Sequence, residues 1–387
     1  MRFRHADGTL VHLAYGTNVH PAENLDGVIT QLARYGEPIR RRLGASRLGL
    51  GLWIAAPVVA ELMADRGCLA RLRRALDRHG LEVVTLNSFP YAGFHAASVK
   101  KAVYHPDWTS QARLDYTLDC ARALAVLLPD DVQRGSLSTL PLAWREPWSA
   151  EQAGLAQQRL DALASGLAAV EGETGRTIRV GFEPEPGCLV EDTTQAASLL
   201  AGLDTDRLGV CVDSCHLAVA FEDPAAACTR LAGAGLPIVK VQASCALQVD
   251  EPADPAARAA LEQFIEPRFL HQTRQASAGR VLGADDLPDA LAGQLSAEGP
   301  WRVHFHVPLH AELPPPLRTT RPTLLSALET MLGGAAALTD HVEVETYTWS
   351  VWPDGPTSDD RLVTGLAAEV SWIRDRLVSL GMKEDRP

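Results

Sequence analysis

The chain has 387 residues, 46% hydrophobic and 22% charged, a composition ordinary for a globular protein and a length sufficient for one large α/β barrel. Its formal net charge is −12 and no basic run or stripe occurs, which argues against binding nucleic acid. No apolar run approaches the roughly 18 residues of a membrane span, and the start "MRFRHADGTL" lacks the apolar centre of a signal peptide. A cytoplasmic location is therefore expected. The seven cysteines (68, 120, 188, 211, 215, 228, 245) form no CxxC pair and read as reduced, mostly buried thiols.

Short apolar runs recur between helical stretches. In chain order the strand candidates are 10–18, 47–54, 81–89, 133–141, 178–185, 207–214, 237–244, 301–308 and 341–348. Between them, Ala156, Leu160, Leu163, Leu167 and Val170 repeat at i+3 and i+4 and predict a helix with one apolar stripe. In 320–332, Thr320 suits an N-cap, Pro322 the first turn, and Leu324, Leu325, Leu328, Met331 and Leu332 the buried face. "PADPAARAA" and "ELPPPLRTTRP" read as loops entering helices, and the tail "KEDRP" is expected to fray.

This alternation predicts a parallel sheet, and near-continuous apolar strands predict that both its faces are covered. About eight β/α units over this length suit a (β/α)8 TIM barrel in a single domain spanning 1–387. Nine strand candidates are one too many. The surplus is expected between 245 and 308, with a hairpin in "FLHQTRQASAGRVL" inserted near the barrel mouth, within a segment of about 245–300. An open doubly wound sheet is the competing architecture, but no GxGxxG follows the first strand.

In a TIM barrel the chemistry lies at the C-terminal ends of the strands. Here those ends carry Asn18 and His20, Asn87, Ser138 and Thr139, Glu183 and Glu185, Asp213 and His216, Gln242, His304 and His306, and Glu343 and Glu345. In "GFEPEPG", an apolar strand leads straight into Glu183, a candidate ligand or base; the bland reading is a loop-capping carboxylate. Glu185 shares its face further out. "VDSCH" places Asp213 and His216 where both can reach one ion, although an Asp N-cap beside a solvated His is commoner in isolation. In "VEVETY", an inward acid needs a partner; Glu345 is the better site candidate, and Glu343 can lie one layer deeper. His304 and His306 share a face and can bind metal together, or one can be a core histidine bonded to backbone. Gln242 is a weak metal ligand but a good partner for a hydroxyl. Tyr91, Phe94, Tyr347 and Trp349 could stack on a substrate at the mouth or pack the rim. Lys100 and Lys101 could hold a phosphate, or simply be solvated.

Glu, D-x-x-H, a polar residue and a final Glu on successive strand ends resemble the xylose isomerase-like TIM barrel superfamily of sugar isomerases, ketose 3-epimerases and endonuclease IV. "GTNVHPAE", "TLNSFPYAGFH", "VYHPDW", "GSLSTLP", "GFEPEPG", "VDSCH", "KVQAS", "FLHQTR", "VHFHVPLH" and "EVETYTW" together resemble the EboE family of metabolite-traffic proteins. The epimerase branch implies one divalent ion (Mn, Mg, Co, Fe or Zn). It also implies acid and base roles for Glu183 and Glu345, with Asp213 and His216 as further ligands. Where that branch has a histidine, this chain has Gln242, so His306 or His271 of "FLHQTR" is the expected substitute. Asn18, His20, Asn87, Tyr91, Glu185, Gln242, His271, His304 and Tyr347 are the substrate-side candidates. The expected activity is metal-dependent isomerisation or epimerisation of a sugar-like small metabolite, by carboxylate proton transfer beside a metal-bound carbonyl. A barrel that binds its metabolite without turnover is the alternative.

Overall fold

The computed structural model describes residues 1–353 and 355–385. After a short β1 (Arg2–Arg4) come β2 (Leu10–Gly16), β3 (Leu48–Trp53), β4 (Leu81–Asn87), β5 (Arg134–Thr139), β6 (Thr177–Phe182), β7 (Leu208–Asp213) and β8 (Ile238–Ala243). An excursion then carries β9 (Leu247–Val249), β10 (Thr273–Ser277), β11 (Arg280–Ala284), β12 (Trp301–Val303) and β13 (Leu317–Thr319). The barrel resumes with β14 (His341–Val344), and β15 (Lys383–Glu384) ends the order. Strands β2 to β8 run parallel in sequence order, and β14 pairs with both β8 and β2. The result is a closed eight-stranded parallel barrel with helices between its strands, as the alternation predicted.

The helices form where the sequence signals them. Ser149 and Gln152 make a reciprocal capping box at the start of Ala150–Thr174, whose five expected apolar positions are all buried. Helix Arg321–Leu332 follows Thr320, with Pro322 in its first turn. Thr320 does not cap it by side chain, however, because its hydroxyl accepts the Ala246 N–H at 2.8 Å and ties the helix to the turn between β8 and β9. All seven cysteines are free, and six are buried. No helix among the described residues is long and apolar enough to cross a membrane.

The surplus strand candidate, 301–308, is β12, and it lies in a second, five-stranded antiparallel sheet ordered β11-β10-β12-β9-β13. The expected hairpin is β10–β11. The excursion is larger than expected from sequence, running through β13 to Thr319, because three-residue strands such as β9 and β13 carry too little periodicity to be seen. Only 301–303 is strand. Beyond it Val307 N donates to Cys245 O at 2.8 Å, which folds His304 and His306 back over the barrel mouth. The tail does not fray at Lys383 and Glu384, which pair with β1. Residues 386–387 of "KEDRP" lie outside the described residues.

Below the mouth, Glu343 is fully buried in an ion pair with Lys240, the partner an inward acid requires. Gly51 makes room for it: a Cβ there would lie 2.1 Å from the Glu343 carboxyl carbon.

Candidate active site

Each barrel strand delivers its last side chains to one end, and the acids converge there. Glu183 follows β6, Asp213 ends β7 and Glu345 follows β14. One carboxylate oxygen from each lies within 4.8 Å of the other two, and all three residues are buried. Asn18 and Asn87 both donate to Glu345 Oε1 at 2.8 Å, while Asn87 Oδ1 accepts the Phe89 N–H and so fixes the amide. Asp213 Oδ1 accepts the N–H groups of Cys215 (2.7 Å) and His216 (3.0 Å) and the Ser244 hydroxyl (2.6 Å). Glu183 Oε2 and Asp213 Oδ2 are buried without a hydrogen-bond partner.

Burial, with the neighbouring charges of Glu345 and Asp213, pushes the Glu183 carboxyl well above its ordinary range. Burial, then the charges of Asp213 and Glu343, does the same to Glu345. Burial also works to raise Asp213, but the nearby His216 and His306 and its own hydrogen bonds hold it below the usual value.

Three imidazoles stand beside the acids. His216 Nε2 lies 3.1 Å from His304 Nε2, which lies 3.2 Å from His306 Nε2. His306 Nε2 is 4.0 Å from Asp213 Oδ2. Glu185 lines the same cleft, accepting from Tyr104 Oη at 2.6 Å and from Gln272 Nε2 at 3.3 Å. Above these groups, Phe89, Phe94, Phe269 and Tyr347 form an aromatic wall. The cleft is open to solvent.

Asn18, Asn87, Glu183, Glu185, His216, His304, His306, Glu345 and Tyr347 all line this cleft, and Asp213 closes its floor against His306 and Glu183. Four expected substrate-side residues do not line it. His20 stacks on Tyr35 at 4.0 Å, toward the helix layer. Tyr91 packs edge-on against Tyr116. His271 has both ring nitrogens engaged, by His304 O and Glu266 Oε1 at 2.9 Å each, and has no free ligand atom. Gln242 is fully buried inside the barrel, its Oε1 accepting from Cys211 Sγ at 3.1 Å. Trp349 donates to Glu369 instead of facing the mouth, and Lys100 and Lys101 pair with Asp286 and Asp285. Sequence reasoning missed Gln272, Tyr104, Phe89 and Phe269. Gln272 was within reach, because strand-like alternation in "FLHQTR" puts it opposite His271.

Residues 48–254, just over half the chain, match the xylose isomerase-like TIM barrel family. No curated protein sequence matches the chain. Among solved structures, it is similar to a xylose isomerase-like TIM barrel protein from Mycobacterium smegmatis in complex with magnesium (13% identity, 96% of this chain and 97% of that chain, TM-score 0.53). It is also similar to D-allulose 3-epimerase from Methylomonas sp. (13% identity, 97% and 100% covered, TM-score 0.51). An L-ribulose 3-epimerase gives 12% identity, 96% and 95% covered, and a TM-score of 0.50. At these identities the likeness shows the fold. Closed barrel, strand-end acids and family match agree: the chain belongs to the xylose isomerase-like TIM barrel family.

Proposed function

We propose that the cleft holds a divalent ion and isomerises or epimerises a sugar or sugar-like metabolite by moving a proton next to its carbonyl. The convergence of buried Glu183, Asp213 and Glu345 carries this reading, because three clustered carboxylates with two unpartnered oxygens call for a cation. These three residues would hold the ion, with His216 and His306 on the Asp213 side. When bound, such an ion stabilises negative charge developing on a carbonyl oxygen.

The chain's own groups supply the rest. Glu183 and Glu345, buried and with raised proton affinity, are placed to take and return a proton. Asn18 and Asn87 fix one oxygen of Glu345 and leave the carboxylate a defined direction. The aromatic wall offers a face for stacking. Lys100 is the one cationic Lys or Arg among the described residues lining the cleft, and Asp286 holds it at 2.6 Å. That pairing supports an unphosphorylated small molecule over a sugar phosphate or nucleic acid. The motifs shared with the EboE type support placement in that subgroup.

One observation favours binding without turnover: Gln242, on the strand where the epimerase resemblance places a histidine ligand, is turned to Cys211. Elemental analysis of protein purified without chelator, beside Glu183→Gln and Asp213→Asn, tests the metal reading. Near-stoichiometric metal in the parent, lost in both folded variants, is expected, and ketose and aldose turnover screens then follow. A parent that takes up no ion would leave a metal-free binding barrel.

A further inference from the structure

The cleft is polar at its floor and apolar above it, and different segments build the two halves. Glu183, Asp213 and Glu345 lie at the floor, where β6, β7 and β14 end. Phe89, Phe94, Val99, Val103, Phe269 and Leu270 line the outer half. The first four come from the stretch after β4 and the last two from the excursion.

These two segments are locked together. Val99 N and Lys100 N both donate to Arg268 O, at 2.7 and 2.9 Å, and Lys100 Nζ pairs with Asp286 at 2.6 Å. The Phe94 ring centroid lies 5.2 Å from that of Phe269 and 5.4 Å from that of Tyr347. The apolar half is therefore formed before any ligand arrives, so little ordering is left to oppose binding.

The polar groups of the outer half are already engaged. Tyr104 Oη donates to Glu185 Oε1 at 2.6 Å and accepts from Gln272 Nε2 at 2.7 Å. The Tyr347 hydroxyl is turned toward the floor, 3.4 Å from His304 Nε2. Lys100 Nζ also reaches the Glu266 carbonyl. Even the backbone of the wall is taken. Arg113 donates to Phe89 O at 3.1 Å, and Trp53 Nε1 and Tyr116 Oη donate to Pro90 O at 2.9 and 3.2 Å. By contrast, Asn18 Oδ1, Glu183 Oε2 and Asp213 Oδ2 are buried without a partner, and all three belong to the floor.

A free sugar carries hydroxyls along its whole length. With its carbonyl at the floor, the far hydroxyls would leave water to face phenylalanines and valines, an unfavourable exchange. A body without hydroxyls gains from the same surface, and an aromatic one gains further from edge and face contacts with the wall. A few directed polar groups at one end and an apolar lining elsewhere also orient such a ligand.

We propose that the substrate is an aryl-substituted hydroxyketone or hydroxyaldehyde, with a short sugar-like head at the carboxylates and an aromatic ring filling the outer half. The head rests on the proposed function. The aryl body rests on the outer lining alone, so the two can fail separately.

The test is titration calorimetry of the full chain, Mn²⁺-loaded and chelator-treated, with 1-hydroxy-3-phenylpropan-2-one and with D-fructose. Both probes offer the same hydroxyketone head, and only the first has an aryl body. The Mn²⁺-loaded parent is expected to bind the phenyl ketone at least about 10-fold tighter than fructose. Phe269→Ala, confirmed as folded by circular dichroism, should lose most of that preference, whereas Glu183→Gln should weaken both probes and keep it. The comparison in the parent stands even if a variant does not fold. Fructose bound as tightly as the phenyl ketone, or tighter, overturns the aryl body and leaves the proposed function intact. A phenyl-ketone preference that is equally strong without Mn²⁺ and in Glu183→Gln, with no loss of affinity, sustains the aryl body and defeats the metal-dependent head. Binding of neither probe overturns the inference.

Discussion

Asn18 Nδ2 donates to Glu345 Oε1 at 2.8 Å across the seam where the barrel closes, since Asn18 follows β2, Glu345 follows β14, and those two strands are the closing pair. Asn87 reaches the same oxygen from β4 at 2.8 Å. Barrel closure and site geometry are therefore joined at one carboxylate. Asn18→Ala and Asn87→Ala are each expected to weaken Mn²⁺ binding by about 10- to 100-fold. Titration calorimetry on folded variants checks this, and unchanged affinity would detach the asparagines from the site.

Gln272 makes the opposite comparison. It holds His304 Nδ1 and contacts none of the three clustered carboxylates. Gln272→Ala is therefore expected to leave Mn²⁺ binding at the carboxylates unchanged. A loss as large as that of the asparagine variants would tie Gln272 to the carboxylate centre.

The Lys240–Glu343 pair is fully buried inside the barrel. Removing one partner strands a charge, so Lys240→Met should cost about 3–5 kcal/mol in urea unfolding. The double variant with Glu343→Leu should recover most of that loss, and a double as unstable as the single would argue against the ion pair. Gly51→Ala drives a Cβ into the same carboxylate and should destabilise by about 1–3 kcal/mol or more.

Glu369 lies fully buried in the last helix, Asp359–Ser379, and accepts from Leu309 N, Thr346 Oγ1 and Trp349 Nε1 at 3.0, 2.6 and 2.8 Å. Burial outweighs these bonds and pushes its carboxyl from 4.5 up to about 7. The folded chain thus binds the proton more tightly than the unfolded chain. The stabilisation is fully present below about pH 4.5 and is lost as pH rises toward 7. Parent stability relative to Glu369→Gln should fall by about 3 kcal/mol across that window. A pH-independent difference between the two would refute the assignment.

The barrel was legible because strand and helix periods alternate over long, strongly apolar segments, and the acids were legible because those segments end on them. The failures have local causes. His271 and Gln272 are adjacent, yet it is the glutamine side chain that meets the His304 ring, while the His271 ring is taken up by the His304 carbonyl and Glu266. His20 lies just past a strand end, where no period fixes direction, and it fell toward Tyr35. Tyr91 met Tyr116 of the following helix before it could meet the cleft. Lys240 carried no signal as the partner of Glu343, because a lone lysine in an apolar run declares neither its face nor its depth.

The excursion between β8 and β14 has a kinetic consequence. Its return is held to the barrel mouth by Val307 N on Cys245 O and His306 Nδ1 on Glu345 O, both at 2.8 Å. Local opening of that segment would separate His304 and His306 from His216 while the eight barrel strands stay paired. Residence time of a ligand in the cleft would then follow this sub-global opening, not complete unfolding. Occupancy would in turn slow amide exchange in β10 and β12 more than in β3 or β4.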